Sequence, residues 1–120
     1  MQTQTLVALL LALGTAASAF AKVDCTAIEK RASQQGALIP AYQSGYDVVG
    51  QGRLQLYSAP NSACPLHGVF LIPGDKVDAG KDYLGYTLVL FINAKNQTDA
   101  MGWVESARLK PNGMGIGPKR

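Results

Sequence analysis

Few residues in this chain of 120 have the type and spacing needed for catalysis. His67 is the single histidine, so every Ser-His-Asp or Cys-His arrangement would have to use it. Asp75, Asp78 and Asp82 are spaced somewhat like the oxygen ligands of a cation. However, lysines intervene and no acidic residue closes the site as in an EF-hand loop. We therefore expect no enzyme, no metal site and no cofactor.

The two cysteines, Cys25 and Cys64, are the next reactive candidates. An even pair in an exported chain predicts a disulfide rather than a nucleophile or a redox motif. A bridge between them would close a long loop, which chain-entropy arguments value at roughly 3–4 kcal/mol. For a domain this small, that is a large share of the total stability.

The remaining chemistry lies in aromatic side chains, because the chain has five tyrosines against three phenylalanines and one tryptophan. Tyrosine offers a flat apolar ring with a polar tip, which suits both sugar stacking and protein interfaces. We predict a binding cluster formed by Tyr57, Tyr83 and Tyr86. His67, in a loop beside Pro65 and Gly68, is a further candidate that could titrate at an interface.

The N-terminus has the pattern of a signal peptide. An apolar run at residues 6–13 is followed by small residues, and cleavage after Ala19 or after Ala21 would fit the small-x-small rule. The run is far shorter than the ~20 residues of a membrane-spanning helix. We expect a periplasmic or secreted product with no stable membrane insertion after cleavage.

The formal net charge is +3, and the basic residues are scattered rather than gathered into a stripe with aromatics between them. This distribution argues against nucleic acid as a partner. A mild attraction to anionic polymers of the cell envelope is permitted.

The mature part is predicted to hold one short helix followed by strands. Residues 24–35 have helical character, with Thr26 and Glu29 in a capping-box pattern and Gly36 as the stop. Alternating or apolar segments predict six strands at residues 46–49, 53–57, 69–72, 76–79, 87–92 and 102–104. The predicted organisation is a signal peptide (1–21), helix and linker (22–45), barrel (46–110) and flexible tail (111–120).

Three segments in this order resemble bacterial SH3 domains. Residues 53–60 (RLQLYSAP) are similar to the opening L-x-V-R-S-G-P strand, and residues 69–78 contain a G-D-x-V pattern. Residues 102–109 (GWVESARL) resemble the closing G-W-V-x-x-x-x-L. The resemblance implies a mainly β, small SH3-like barrel preceded by a short helix, in which Trp103 and Leu109 seal the barrel.

The resemblance also implies a binding role. We expect a non-enzymatic protein that recognises a cell-envelope component, either peptidoglycan or an envelope protein. The alternative is an inhibitor or immunity protein that binds a secreted toxin or hydrolase, for which a protruding loop carrying His67 or Asp99 would be the natural contact. SH3-like barrels serve many functions, so the fold alone leaves both open.

Overall fold

One α-helix precedes a curled antiparallel sheet in the computed structural model, which describes residues 22–93 and 95–116. The predicted signal peptide therefore lies outside the described residues. The helix is α1 (Cys25–Gln35), and short 3-10 helices occur at Ala41–Gln43 and Ser106–Arg108. The strands are β1 (Ala37–Leu38), β2 (Gly45–Val48), β3 (Leu54–Tyr57), β4 (Pro65–Leu71), β5 (Lys76–Tyr83), β6 (Tyr86–Asn93), β7 (Thr98–Glu105) and β8 (Leu109–Pro111).

The strands form one sheet in the order β4-β3-β7-β6-β5-β2-β8, with β1 paired to β5. The sheet curls into a half-barrel, so the predicted fold class is confirmed as mainly β, with a small barrel-like sheet preceded by a helix. Within each strand, side chains alternate between the concave and the outer face. The concave face holds the core, which contains Val48, Leu54, Leu56, Leu71, Val77, Ala79, Val89 and Val104. Leu109 packs against this core, as expected.

Helix α1 is capped differently from the prediction. Asp24 is the N-cap, and its carboxylate accepts a hydrogen bond from the Ala27 amide at 3.0 Å. Thr26 lies inside the first turn, so the predicted capping box is wrong. Gly36 ends the helix as expected, but its φ of −67° is one that any residue adopts. Glycine is needed there because a Cβ would lie 2.7 Å from Cγ of Lys81.

The predicted disulfide is present and joins Cys25, the first residue of α1, to Cys64 in the loop before β4. The two Cα atoms are 5.8 Å apart. The bridge therefore holds the start of the helix against the sheet. Such a bond indicates an oxidising, non-cytoplasmic compartment. Within the described residues, no helix has the length and apolar character needed to cross a bilayer.

Trp103 is buried, with 1% of its surface exposed, but it lies on the outer face of the sheet rather than in the core cluster. Its neighbour Val104 points into the core, and adjacent strand residues face opposite sides. The indole Nε1 donates a hydrogen bond to Oε1 of Glu29 on α1 at 2.8 Å. Trp103 is thus buried, but it closes the contact between the helix and the outer face of the sheet rather than the barrel itself.

Residues 112–116 do not match the predicted loose tail. The amide of Asn112 donates to the carbonyl of Gly45 at 3.0 Å, and the amide of Gly45 donates to the carbonyl of Met114 at 2.9 Å. The amide of Ile116 donates to the carbonyl of Ala41 at 2.8 Å. Pro111 belongs to β8 and pairs with Tyr46. Glycine and proline in this segment therefore shape a tight turn against residues 41–45, where composition alone indicates disorder. Residues 117–120 lie outside the described part.

Candidate binding site

The structure brings together the three tyrosines predicted to form a cluster. The rings of Tyr57 and Tyr86 meet edge to face, with centroids 5.6 Å apart. Tyr83 and Tyr86 pair directly at the end of the β5–β6 hairpin. Each ring is half-buried, and the Tyr83 hydroxyl lies 3.3 Å from Oε1 of Gln35, to which it donates. These contacts show that much of the cluster's surface is used to join the hairpin, β3 and α1.

Burial raises the pKa of the Tyr86 phenol, and the neighbouring Tyr57 and Glu105 raise it further. Apolar surroundings and nearby negative charge both disfavour a phenolate. Tyr86 is therefore a neutral phenol at physiological pH and has no role as a general base there.

The hairpin tip between these tyrosines projects a different side chain. Leu84 is 77% exposed and has a φ of +47°, followed by Gly85 at +84°. Two central residues with positive φ are typical of the tight turn that matches strand twist. Tyr83 is the last residue of β5 and Tyr86 is the first residue of β6, so neither tyrosine lies at the tip of the turn.

His67 is exposed on β4, where the strand bulges at Gly68. The pairing register of β3 with β4 shifts at this point. Gln55 holds the bulge, since its Nε2 lies 2.8 Å from the carbonyl oxygen of Leu66 and 3.1 Å from that of Val69. The imidazole is thus presented to solvent from a braced segment.

A cavity lies elsewhere, at the junction of the 3-10 helix, β2 and the C-terminal segment. Its volume is about 410 Å³, and it is lined by Tyr42, Gln43, Tyr46, Pro111 and Gly113. We call it the Tyr42–Tyr46 cavity. Sites for small ligands typically occupy ~300–1,000 Å³ and combine apolar walls with a few polar groups. Two aromatic rings, an amide and a proline have that character.

Local structure positions both rings of the Tyr42–Tyr46 cavity. Tyr42 is the central residue of the 3-10 helix, which the Gln43 amide closes by donating to the Pro40 carbonyl at 2.9 Å. Tyr46 belongs to β2 and packs partly against the core. The core supports one side of the Tyr46 ring, while the ring also lines the cavity. A supported ring loses little freedom on binding, which favours affinity.

An ionic contact braces the wall that carries Pro111 and Gly113. Oδ1 of Asp47 accepts hydrogen bonds from Asn112 Nδ2 at 2.9 Å and from Lys76 Nζ at 3.1 Å. The hydrogen bond from Asn112, reinforced by Lys76, lowers the pKa of the Asp47 carboxyl below 3.8. Gly45, opposite this wall, has no room for a side chain, since a Cβ would contact Asn112 and Met114.

The sequence did not identify this site because its walls come from distant parts of the chain. Tyr42 and Tyr46 were visible as two of the five tyrosines, but nothing in their surroundings marked them as partners of Pro111. The one local signal that could have indicated the site is the close spacing of the two tyrosines after Pro40. Among the described residues, no group of three or more His, Cys, Asp or Glu side chains is arranged to hold a metal ion.

Comparison of the chain with protein-family models, with curated proteins and with solved structures finds no match.

Proposed function

We propose that this protein is an exported, non-enzymatic binding protein that recognises a component of the cell envelope, either peptidoglycan or an envelope protein. The observation that carries the proposal is the Tyr42–Tyr46 cavity, a braced concave site with two tyrosine rings. The disulfide supports an extracytoplasmic location, and the predicted signal peptide supports export to the periplasm or beyond.

The lining of the cavity favours binding over catalysis. Its five residues are two tyrosines, a glutamine, a proline and a glycine. A hydrolytic site needs a nucleophile with a base, a carboxylate pair or a metal, and the lining contains none of these combinations. The groups that are present provide ring surface and hydrogen bonds, which are the requirements of recognition.

Between the two envelope ligands, the cavity favours peptidoglycan. A tyrosine ring covers the apolar face of a sugar, while its hydroxyl and the Gln43 amide can pair with sugar hydroxyls and acetamido groups. These contacts are uncharged, so sugar stacking should persist at salt concentrations that screen surface charges.

The test is retention on purified sacculi at low and raised salt. Wild-type protein should bind, Tyr42→Ala should lose most of its retention, and the Tyr83→Ala, Tyr86→Ala double variant should retain it if folded. The double variant is the matched control because it also removes tyrosine rings, but from the cluster of Tyr57, Tyr83 and Tyr86, which lies outside the cavity. Undiminished retention of a folded Tyr42→Ala variant would contradict the assignment of the cavity.

The alternative function, an inhibitor or immunity protein for a secreted toxin or hydrolase, is favoured by Leu84. An apolar side chain that is 77% exposed at the tip of a tight hairpin is suited to insert into a partner's cleft. Leu84→Asn keeps a residue that tolerates positive φ. Loss of one captured secreted toxin or hydrolase in this variant, with sacculus binding absent in the wild type, would support the inhibitor.

A further inference from the structure

The outer face of β6 and β7 carries an apolar strip. Its members are Leu88, Leu90, Ile92 and Met101, and Leu90 pairs directly with Met101 across the two strands. Ile92 is 56% exposed and Met101 is 63% exposed. Exposed neighbouring apolar side chains of this kind mark contact surfaces more often than isolated ones do. Methionine also adapts its shape readily to a partner.

A cavity of about 250 Å³ lies at the end of the strip nearest to α1. Its apolar walls include Leu66, Leu88, Met101 and Trp103, and the carboxylate-bearing side chain of Glu29 lines it as well. Oε1 of Glu29 accepts from Trp103 and Oε2 accepts from the Ser33 hydroxyl at 3.0 Å. A carboxylate has about four lone-pair positions, so Glu29 can accept from a further donor.

Carboxylates border the strip on several sides, although the whole chain is basic. Asp78 pairs with Leu90, Asp99 with Ile92 and Glu105 with Tyr86 on the same outer face. The nearby lysines have acceptors of their own. Lys76 Nζ bonds to Asp47, and Lys81 Nζ donates to the Ser33 carbonyl at 2.6 Å. The strip therefore presents apolar surface bordered by three carboxylates and, near Leu90 and Ile92, by Lys76, whose charge is paired with that of Asp47.

We infer that the strip binds a peptide segment of a protein partner in which a lysine is flanked by apolar residues. The aliphatic stem of the lysine occupies the cavity along Leu88 and Met101, and its ammonium donates to Glu29. The flanking apolar side chains cover Leu90 and Ile92. An unbranched four-carbon stem with a terminal cation matches an apolar cavity that has a carboxylate in its wall.

Charge complementarity decides this choice of occupant. A wholly apolar side chain would enclose the Glu29 carboxylate without giving it a cation, at a cost in desolvation. An acidic segment would be repelled by the bordering carboxylates. This site is separate from the Tyr42–Tyr46 cavity, so the inference does not depend on the proposed function.

The test is a titration with acetyl-Gly-Leu-Lys-Leu-Gly-amide, followed by the amide resonances of the protein and by the emission of its single tryptophan. Binding should shift the resonances of residues 88–90 and 101–103. A peptide with norleucine in place of lysine should bind at least about tenfold more weakly, since a charge-assisted hydrogen bond is lost.

Glu29→Gln is the matched variant, because the glutamine oxygen can still accept from Trp103 while the charge is removed. It should weaken lysine-peptide binding about tenfold and should not weaken norleucine-peptide binding, since the desolvation cost of the carboxylate is removed. Ile72→Gln, which changes an exposed isoleucine after β4 and away from the strip, should bind as the wild type does. Equal binding of both peptides, unchanged binding by folded Glu29→Gln, or no binding at millimolar peptide would each overturn the proposal. Glu29→Gln should be retained on sacculi as the wild type is, because Glu29 does not line the Tyr42–Tyr46 cavity. Failure of the peptide site and failure of the cavity can therefore be distinguished.

Discussion

Trp103 and Glu29 are 74 residues apart in sequence and are joined by a hydrogen bond of 2.8 Å. The bond satisfies the single donor of an indole that is almost completely buried. It also draws the middle of α1 onto the outer face of the sheet, while the Cys25–Cys64 bridge holds its beginning. Helix and sheet are thus joined at two points that the local sequence does not connect.

Removing the indole should destabilise the fold strongly. Trp103→Ala leaves a cavity between α1 and the sheet, and we expect a loss of about 3–5 kcal/mol in the free energy of unfolding. Urea denaturation followed by far-UV circular dichroism measures this loss. A loss below ~1 kcal/mol, or water-exposed emission from native Trp103, would contradict its burial beneath the helix.

Removing only the acceptor should have a smaller effect. Glu29→Ala leaves the indole N–H of Trp103 without its partner, which costs about 1–3 kcal/mol. Glu29→Gln should cost less, since its amide oxygen can replace the carboxylate. Equal stability of the alanine and glutamine variants would show that the hydrogen bond contributes nothing measurable.

The disulfide should stabilise the folded protein because it restricts the conformations of the unfolded chain. Its cysteines are 39 residues apart in sequence, so Cys25→Ser, Cys64→Ser protein should lose roughly 3–4 kcal/mol. Non-reducing mass spectrometry should find the bridge and no free thiol in the oxidised protein. Two reactive thiols on the native exported protein would refute the pairing and the anchoring of α1.

Asp47 should make stability depend on acid pH. Its pKa is lowered in the folded state by the Asn112 hydrogen bond and by Lys76, so the folded protein binds this proton less readily than the unfolded chain. Its contribution is therefore present above pH 3.8 and is lost as pH falls through the lower folded-state value. Thermal unfolding of wild type and Asp47→Asn should differ at pH 7 and converge in strong acid. A constant difference across this range would contradict the linkage.

Much of the fold was predictable because its signals are local. Alternation places Leu54 and Leu56 on one face of β3, and the apolar run of β6 marks a strand whatever its partners are. All six predicted strands occur, each with at least one end at a different residue. The polar beginning of β7 at Thr98 was missed, since exposed residues at a hairpin end lack an apolar pattern. β1 has two residues and β8 ends in proline, so neither carried a strand signal.

The site was less predictable because its contacts join distant residues. The tyrosines near the β5–β6 hairpin did come together, since cross-strand neighbours are close in sequence. The contact of Asn112 with Asp47 spans 65 residues and builds the wall of the Tyr42–Tyr46 cavity. Glu29 occupies a capping-box position in the sequence, yet its carboxylate accepts a hydrogen bond from the Trp103 indole instead. A sequence pattern shows what a side chain can do nearby, while tertiary packing selects its partner.

The most direct test of the proposed function is a titration of isotope-labelled protein with soluble disaccharide-peptide fragments of peptidoglycan. The proposal predicts that the largest amide shifts occur at Tyr42, Gln43, Tyr46 and Gly113, and that Tyr42→Ala abolishes them. Shifts confined to the Tyr83–Tyr86 hairpin would contradict recognition of peptidoglycan by the Tyr42–Tyr46 cavity. The absence of any shift at millimolar fragment concentrations would contradict it as well.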